Sequence, residues 1–318
     1  MNLIEEMSKR LMEAIEKGDA PFAYIPTEIG ELKFCCTDNE RKQPYSKEEK
    51  RKKLTCWICG CLIIPILFWA IFNNSPIIDA IVSIICVIVL YKALIRITHF
   101  KGTDYFVGSD GFAVVSFEGN RDNIISKTIH TYDEFSEFIT GETIKKVNGS
   151  DRGTDYFFGF FSVPISIENN SAKVKLILDE GGTHQQEKNN DDPLSEHYTF
   201  WKNIEREWTA RKLKEMLSSS VADSATFSLL HAQEGSNDWY ATPYVTITSN
   251  AIFVGGREYN RETLKRLWFE NGNLVIEHIN HSKKLLGLIE KGDIEHIPLT
   301  NIGNKKLFIL YLQSIIKL

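Results

Sequence analysis

Cysteine is the residue type in this 318-residue chain whose spacing comes closest to that of a metal or redox site. Cys56 and Cys59 form a C-x-x-C pair, and Cys61 follows shortly after. A structural zinc ion needs four ligands in a tetrahedron, and the sequence has no second pair to complete one. We therefore predict no metal site here and interpret these cysteines as small apolar residues. Acylation of Cys56 is the alternative that stays open.

The histidines include one group with ligand-like spacing, His278 and His281 with His296 downstream. Residues three apart on a strand point to opposite faces, so His278 and His281 cannot share a metal unless the strand ends between them. Acidic residues also lie in and beside the polar stretch 179–195, without the spacing of a calcium-binding loop. They are Asp179, Glu180, Asp191 and Asp192. We expect no metal site from either group.

Motifs of the common enzyme classes are absent from the sequence. It contains no G-x-S-x-G elbow, no H-E-x-x-H, no Walker A loop and no G-x-G-x-x-G turn. We therefore predict no catalytic residue and no cofactor, and we treat the chain as a non-enzyme. An enzyme with an unrecognised cleft site is kept as an alternative.

The composition is that of an ordinary globular protein, with 43% hydrophobic and 25% charged residues. Such a content of apolar residues excludes a disordered chain. The net charge of −5 gives no basis for nucleic-acid binding, which usually shows as a basic domain.

Two apolar stretches depart from this average. Residues 54–72 carry no charge, and residues 77–97 are apolar for most of their length. A helix of ~20 residues crosses the hydrocarbon core of a bilayer. Ser75 can cap the second helix, and Pro76 suits its first position. The pattern predicts a two-helix transmembrane hairpin at residues 54–97, with Asp79 as a solvated carboxylate near one interface.

Basic residues flank both stretches. Those before the first are Arg41, Lys42, Lys47, Lys50, Arg51, Lys52 and Lys53. Those at the end of the second are Lys92, Arg96 and Lys101. The positive-inside rule then predicts an integral membrane protein with two spans and both termini in the cytoplasm. We interpret the first cluster as the anchor that sets this topology, and contact of its seven residues with anionic lipid is the alternative prediction.

Strand patterns dominate the rest of the chain. An apolar stripe predicts a helix at residues 3–17, and we interpret residues 1–53 as a cytoplasmic helix followed by a basic linker. Residues 98–220 show strand alternation, with a hairpin turn at 109–111, a short turn of helix at 132–139 and a polar loop at 179–195. An amphipathic helix follows at 196–217. Residues 221–318 repeat this order and end in a helix at 304–317. Asn271-Gly272 predicts a hairpin turn, because both residues accept a positive φ.

The repeated order of strands followed by one helix resembles the pleckstrin-homology-like (PH-like) fold. The stretch REYNRETLKRLWFENGNLVIEH is similar to its central meander, and IEHIPLTNIGNKKLFILYLQSII to its last strand and capping helix. The layout resembles bacterial membrane-anchored proteins with PH-like domains, and the match is best over residues 225–318. The fold class expected is α+β with a transmembrane helical hairpin and two PH-like antiparallel β-barrel or sandwich units, each closed by a C-terminal helix.

The resemblance implies an interaction protein. Its PH-like domains, held at the cytoplasmic membrane face, would bind a protein, a peptide or a lipid. A small transporter or channel subunit that oligomerises through the hairpin is the alternative.

Overall fold

The fold is known from a computed structural model, which divides the chain into two compact units. It describes residues 13, 15, 17, 21–22, 24–39, 41–72, 76–147, 150–184, 193–218, 224–233, 238–280, 282–284, 289–291 and 293–315. The first unit comprises Met1–Val107 and Phe112–Ile129, and the second comprises Gly108–Gly111 and His130–Leu318. The helix predicted at residues 3–17 lies almost wholly outside the described residues.

The first unit combines two helices with one antiparallel sheet. The helices are α1 (Lys47–Phe72) and α2 (Pro76–Thr98). The strands are β1 (Leu32–Thr37), β2 (Lys101–Gly108), β3 (Gly111–Glu118) and β4 (Ile124–Thr131), which pair in sequence order. β2 and β3 confirm the hairpin predicted around residues 109–111. Asp79 lies in the first turn of α2, as predicted.

A buried ion pair joins the first strands of this unit. Nη1 of Arg121 lies 2.6 Å from both carboxylate oxygens of Asp104, and the Thr37 hydroxyl donates to the same carboxylate at 2.6 Å. Arg121 also donates to the backbone carbonyls of Asn39 and Arg41. Both charges are almost fully buried, so each depends on these hydrogen bonds to replace water.

The predicted two-span topology is wrong for the described part of the chain. A single segment there, Ala80–Thr98, is long and apolar enough to be a membrane-span candidate. α1 begins with the charged run KEEKRKK, and the side chains of its last six residues lie outside the described part of the chain.

The second unit holds fourteen strands and two helices among its described residues. The strands are β5 (Phe135–Val147), β6 (Ser150–Ser162), β7 (Ser166–Glu168), β8 (Ser171–Val174), β9 (Leu176–His184), β10 (Ser224–Ala232), β11 (Trp239–Thr248), β12 (Ala251–Val254), β13 (Arg257–Asn260), β14 (Leu264–Glu270), β15 (Asn273–His278), β16 (Ser282–Lys284), β17 (Ile289–Lys291) and β18 (Ile294–Pro298). The helices are α3 (Pro193–Ser218) and α4 (Lys305–Ile315), and a short 3-10 turn covers Tyr132–Glu134.

These strands form several sheets rather than two barrels. One sheet has the order β5-β6-β9, and a larger one has the order β13-β12-β11-β8-β7 with β10 also paired to β11. Two smaller sheets are β14-β15-β18 and β16-β17. The predicted fold class is therefore wrong: the described residues contain no closed barrel, and the helices do not close separate units.

The pairing of strand β11 explains why the chain does not form the two predicted PH-like units. Its Trp239, Tyr240 and Ala241 pair with residues 172–174 of β8, which belong to the first predicted PH-like segment. Further along, β11 pairs with β12. A single strand thus takes partners from both predicted segments, and they cannot fold as two copies of one domain.

The two helices of the second unit bury aromatic side chains against different strands. α3 buries Phe200, Ile204 and Trp208 completely or nearly so. The Trp208 ring meets Phe160 of β6 edge-on, with centroids 5.7 Å apart. α4 buries Phe308 against Phe227 of β10 at 5.1 Å. Burial of such aromatic side chains stabilises this unit.

Local predictions in this unit have mixed outcomes. The helices predicted at 196–217 and 304–317 are confirmed as α3 and α4, and Asn271 and Gly272 adopt φ of 48° and 75° between β14 and β15. The helical turn predicted at residues 132–139 ends early, because β5 begins at Phe135. The loop predicted at 179–195 is also partly wrong, since β9 continues to His184.

Candidate functional site: a groove around Glu137

The second unit contains a groove of about 270 Å³. Strands from the two larger sheets form it together with the turn between β6 and β7. Its lining residues are Ser136, Glu137, Pro164, Ile167, Asn170, Ala172, Val174, Ser228, Ala241 and Pro243. Glu137 is the one acidic side chain in this set, and the set contains no basic side chain.

Breaks in strand register place the polar residues of the groove. The β5–β6 ladder shifts between Phe135 and Glu137, which leaves Ser136 as an extra residue. The β10–β11 ladder shifts between Phe227 and Ser228, where Ser228 pairs with Pro243. A β-bulge bends its strand and re-aims the neighbouring side chains. Two bulges on different sheets therefore direct Glu137 and Ser228 towards the same space.

Asn304, just before α4, holds the Glu137 carboxyl group. Its Nδ2 donates to Oε2 of Glu137 at 2.7 Å, and its Oδ1 accepts from Nε1 of Trp208 at 2.7 Å. The indole N–H only donates, so it determines which end of the amide faces which partner. The backbone N–H of Asn304 also donates to the carbonyl of Phe138, at 2.7 Å. Hydrogen bonds through Asn304 thus hold the carboxyl group where β5, α3 and the beginning of α4 meet.

The surroundings of Glu137 favour its neutral form. Burial raises the pKa of this carboxyl from its ordinary value of 4.5 to about 7, although Lys212 and a hydrogen bond from Ser228 act in the opposite direction. A carboxyl with a pKa near neutrality can donate or accept a proton, or bind a cation, under ordinary conditions.

Apolar residues form the wall and the rim of the groove. Val174 and Ala241 are buried in its wall. Ile165 in the turn from β6 to β7 is 64% exposed, and Ile167 of β7 is 77% exposed. β7 is an edge strand in the described sheet, and Asn169 and Asn170 close its hairpin with β8 at positive φ. The groove thus offers one carboxyl group within a largely apolar surface.

The seven basic residues predicted to contact lipid lie elsewhere, in the first unit. Arg41 and Lys42 precede α1, and the other five lie in its first two turns. Lys42, Lys47, Arg51, Lys52 and Lys53 are exposed. Arg41 is engaged within the unit, because its Nη2 donates to the carbonyl of Arg96 at 3.3 Å and its guanidinium lies over the Tyr45 ring. Contact of this cluster with anionic lipid stays a prediction.

The side chains considered for metal binding are not brought together in the described part of the chain. There, no three His, Cys, Asp or Glu side chains form a group that could hold a metal ion. His278 ends β15, His296 lies on β18 opposite Val275, and His281 is outside the described residues, as are Asp191 and Asp192. Cys61 donates weakly to the carbonyl of Cys86 at 3.5 Å, and Cys56 and Cys59 are exposed on α1.

Sequence patterns alone did not indicate Glu137. It lies in the stretch FSEFIT, where an acidic residue between aromatic ones looks like the exposed position of an alternating strand. One signal was present: Pro243 stands inside the strand pattern of β11, and proline within a strand is typical of a bulge or an edge. That signal indicates an irregular strand but does not identify the residue across from it.

Known proteins give no guide to the function of this groove, so it is interpreted from its own geometry. The resemblance to bacterial membrane-anchored proteins with PH-like domains stays a prediction, as do the absence of catalytic residues and cofactors and the protein, peptide or lipid partner. No protein-family model matches this chain, and neither the curated proteins nor the solved structures show a significant match to it.

Proposed function

We propose that this chain is a membrane-anchored binding protein. The apolar surface of α2 holds it at a lipid bilayer, and its β-rich second unit binds a partner. The observation that carries this proposal is the exposure of α2. Its segment Ala80–Thr98 has a mean hydropathy of 2.4, yet only 17% of the window is buried.

Water is a poor medium for such a helix. Ile84, Val87 and Tyr91 are each more than half exposed. Each Å² of apolar surface left in water costs roughly 25 cal/mol, and a core helix of a soluble domain would be mostly buried. The 19 residues span about 28 Å at 1.5 Å per residue, close to the ~30 Å of a hydrocarbon core. A bilayer therefore matches both the length of α2 and the apolar side chains on its surface.

Neighbouring features of the first unit support the same proposal. α1 contributes exposed apolar side chains beside α2, among them Leu62 and Ile66. The hydrogen bond from Arg41 to the carbonyl of Arg96 brings the basic beginning of α1 next to the end of α2. Cations thus lie at one end of the apolar surface, where lipid headgroup phosphates would be.

Alkaline carbonate extraction of membranes from an expression host tests this proposal. We expect the full chain to stay in the membrane pellet after carbonate treatment and to dissolve only in detergent. The double variant Ile84→Lys/Ile88→Lys places two charges in the middle of α2 and should move most of the protein to the supernatant. Ser249→Lys, at an exposed turn between β11 and β12, adds a charge without this effect.

Two results would overturn the proposal. One is release of the unmodified chain by carbonate. The other is a detergent-free, defined oligomer in size-exclusion chromatography, which would mean that a second copy covers the apolar surface.

A further inference from the structure

We propose that the Glu137 groove binds a lysine side chain from a segment of a partner protein, with the ammonium on Glu137 and the methylenes against Val174 and Ile167. This inference deepens the proposed function by naming the binding site and the chemistry of the partner. It rests on that function only for the statement that the second unit has a partner.

The polar atoms of the groove match the three donors of an ammonium group. Ser136 donates its hydroxyl proton to the carbonyl of Ser162 at 2.7 Å, so its oxygen can still accept. Ser228 hydrogen-bonds to the Glu137 carboxyl, and its oxygen can accept in the same way. Together with the carboxyl group, these hydroxyls give three oxygen acceptors around one space, and an ammonium carries three N–H donors and no acceptor.

Charge and geometry favour lysine over arginine. The groove has one acidic and no basic side chain among its lining residues, which complements a cation. A guanidinium binds best when both oxygens of a carboxylate are open to it in parallel. Oε2 of Glu137 already accepts from Asn304, so the carboxyl group is better arranged for a point charge.

The apolar surface beyond the groove favours a polypeptide over a free amine. The groove itself, at about 270 Å³, is larger than a four-carbon chain with its ammonium group, so a lysine side chain alone does not fill it. Val163 and Ile165 lie outside the lining yet are more than half exposed next to it. A small amine would leave them in water, whereas residues flanking a lysine in a partner segment would cover them.

Methyl NMR of the full chain in detergent micelles tests the inference. The probes are the tripeptides Ac-Leu-Lys-Leu-NH2 and Ac-Leu-Nle-Leu-NH2, in which norleucine lacks the ammonium, together with n-butylammonium. We expect the lysine peptide to shift the Ile167 and Val174 methyl signals and to bind about tenfold or more tightly than the norleucine peptide. Core methyls such as those of Ile247 and Val254 should not move.

Two matched variants separate the role of the carboxyl group from that of the fold. Glu137→Gln keeps the shape and should abolish the preference for lysine over norleucine. Glu168→Gln, on the exposed part of β7, should keep it. Ser228→Ala removes one acceptor and should reduce the preference while leaving the core methyl signals unchanged, which also shows that the fold is intact.

Several outcomes would overturn the inference. These are equal binding of the two peptides, a lysine preference that survives Glu137→Gln, or no shift of the groove methyls at millimolar peptide. Butylammonium binding as tightly as the lysine peptide would refute the polypeptide partner. None of these results depends on carbonate extraction, so failure of the groove proposal is distinguishable from failure of membrane anchoring.

Discussion

Asn304 and Glu137, far apart in the sequence, share a hydrogen bond of 2.7 Å between the amide Nδ2 and the carboxyl Oε2. Asn304 adopts a φ of 55°, which asparagine tolerates better than most residues. Its carbonyl accepts the first hydrogen bond of α4, from Phe308 at 3.0 Å. Asn304 thus begins α4, positions the Glu137 carboxyl group and accepts the hydrogen bond of the buried Trp208 indole N–H.

Replacing Asn304 tests this junction. Asn304→Ala leaves the Trp208 N–H without its acceptor, removes one of the donors to the Glu137 carboxyl, and places alanine at a positive φ. We expect a loss of about 3 kcal/mol in the free energy of unfolding, as the sum of these effects. Asn301→Ala is the matched control, because Asn301 accepts from Leu230 through its backbone, and it should cost less than about 0.5 kcal/mol. Chemical denaturation followed by tryptophan fluorescence measures both, and equal effects would contradict the role of Asn304.

The raised pKa of Glu137 makes the stability of the second unit depend on pH. An unfolded glutamate loses its proton near pH 4.5, whereas the folded protein keeps it until about pH 7, with Lys212 as the charged group that acts against this. The folded state therefore binds more protons between these values, and its stability falls as the pH rises through that window. Below pH 4.5 Glu137 is protonated in both states and does not change the stability with pH. Above about pH 7 it is ionised in both states, and the destabilisation has reached its full value.

Glu137→Gln isolates this effect, because glutamine cannot ionise. We expect the variant to gain stability relative to the unmodified chain between pH 4.5 and 7, by up to about 3 kcal/mol at ~1.4 kcal/mol per pKa unit. Unfolding midpoints measured across this pH range report the difference. A difference that does not change with pH would show that the carboxyl stays ionised in the folded protein.

The buried pair Arg121–Asp104 should be far more sensitive to substitution than an exposed pair of the same length. Arg121→Met leaves a buried, uncompensated carboxylate and should cost about 3–5 kcal/mol. Lys33 and Glu31 also approach to 2.6 Å, but Glu31 is exposed and Lys33 only partly buried, so Lys33→Met should cost under about 1 kcal/mol. Arg121→Met/Asp104→Leu should recover much of the loss. Thermal unfolding compares the variants, and a double variant no better than Arg121→Met would mean that the pair is not the cause.

The basic cluster at the beginning of α1 should strengthen binding to anionic lipid. Exchanging Lys50, Arg51, Lys52 and Lys53 for glutamine should weaken transfer from detergent into vesicles that contain phosphatidylserine, at ~1 kcal/mol per cation near the surface. Transfer into neutral phosphatidylcholine vesicles should not change. The control variant has glutamine at Lys145, Lys175, Lys214 and Lys265. If it behaves like the α1 variant, net charge and not the position of the cluster is responsible.

Elements with a local signal were predictable from sequence. The hairpin at Asn271-Gly272 depends on two residues that both accept positive φ, so neighbours along the chain suffice to specify it. The helices α3 and α4 carry continuous apolar stripes, and Trp208 and Phe308 are buried as those stripes require.

Features that depend on distant partners were not predictable. Pairing of β8 with β11 involves only three residues of each strand, and nothing in those residues specifies the partner. Glu137 becomes a site residue because a bulge at Ser136 turns it, because Ser228 faces it from another sheet and because Asn304 holds it. Each of these contacts joins residues that are far apart in the sequence, whereas hydrophobic periodicity reports only on residues that are close in it.

The ladder between β8 and β11 also determines how the chain can be divided. Residues 98–220 expressed alone would carry the β7–β8 hairpin with the edge of β8 uncovered, and residues 221–318 would lack the neighbour of Trp239–Ala241. Open strand edges of this kind recruit other chains. We expect each fragment to aggregate when expressed alone and the two to form a soluble complex when co-expressed. The second unit would then fold as one domain, and neither half could be exchanged between proteins without the other.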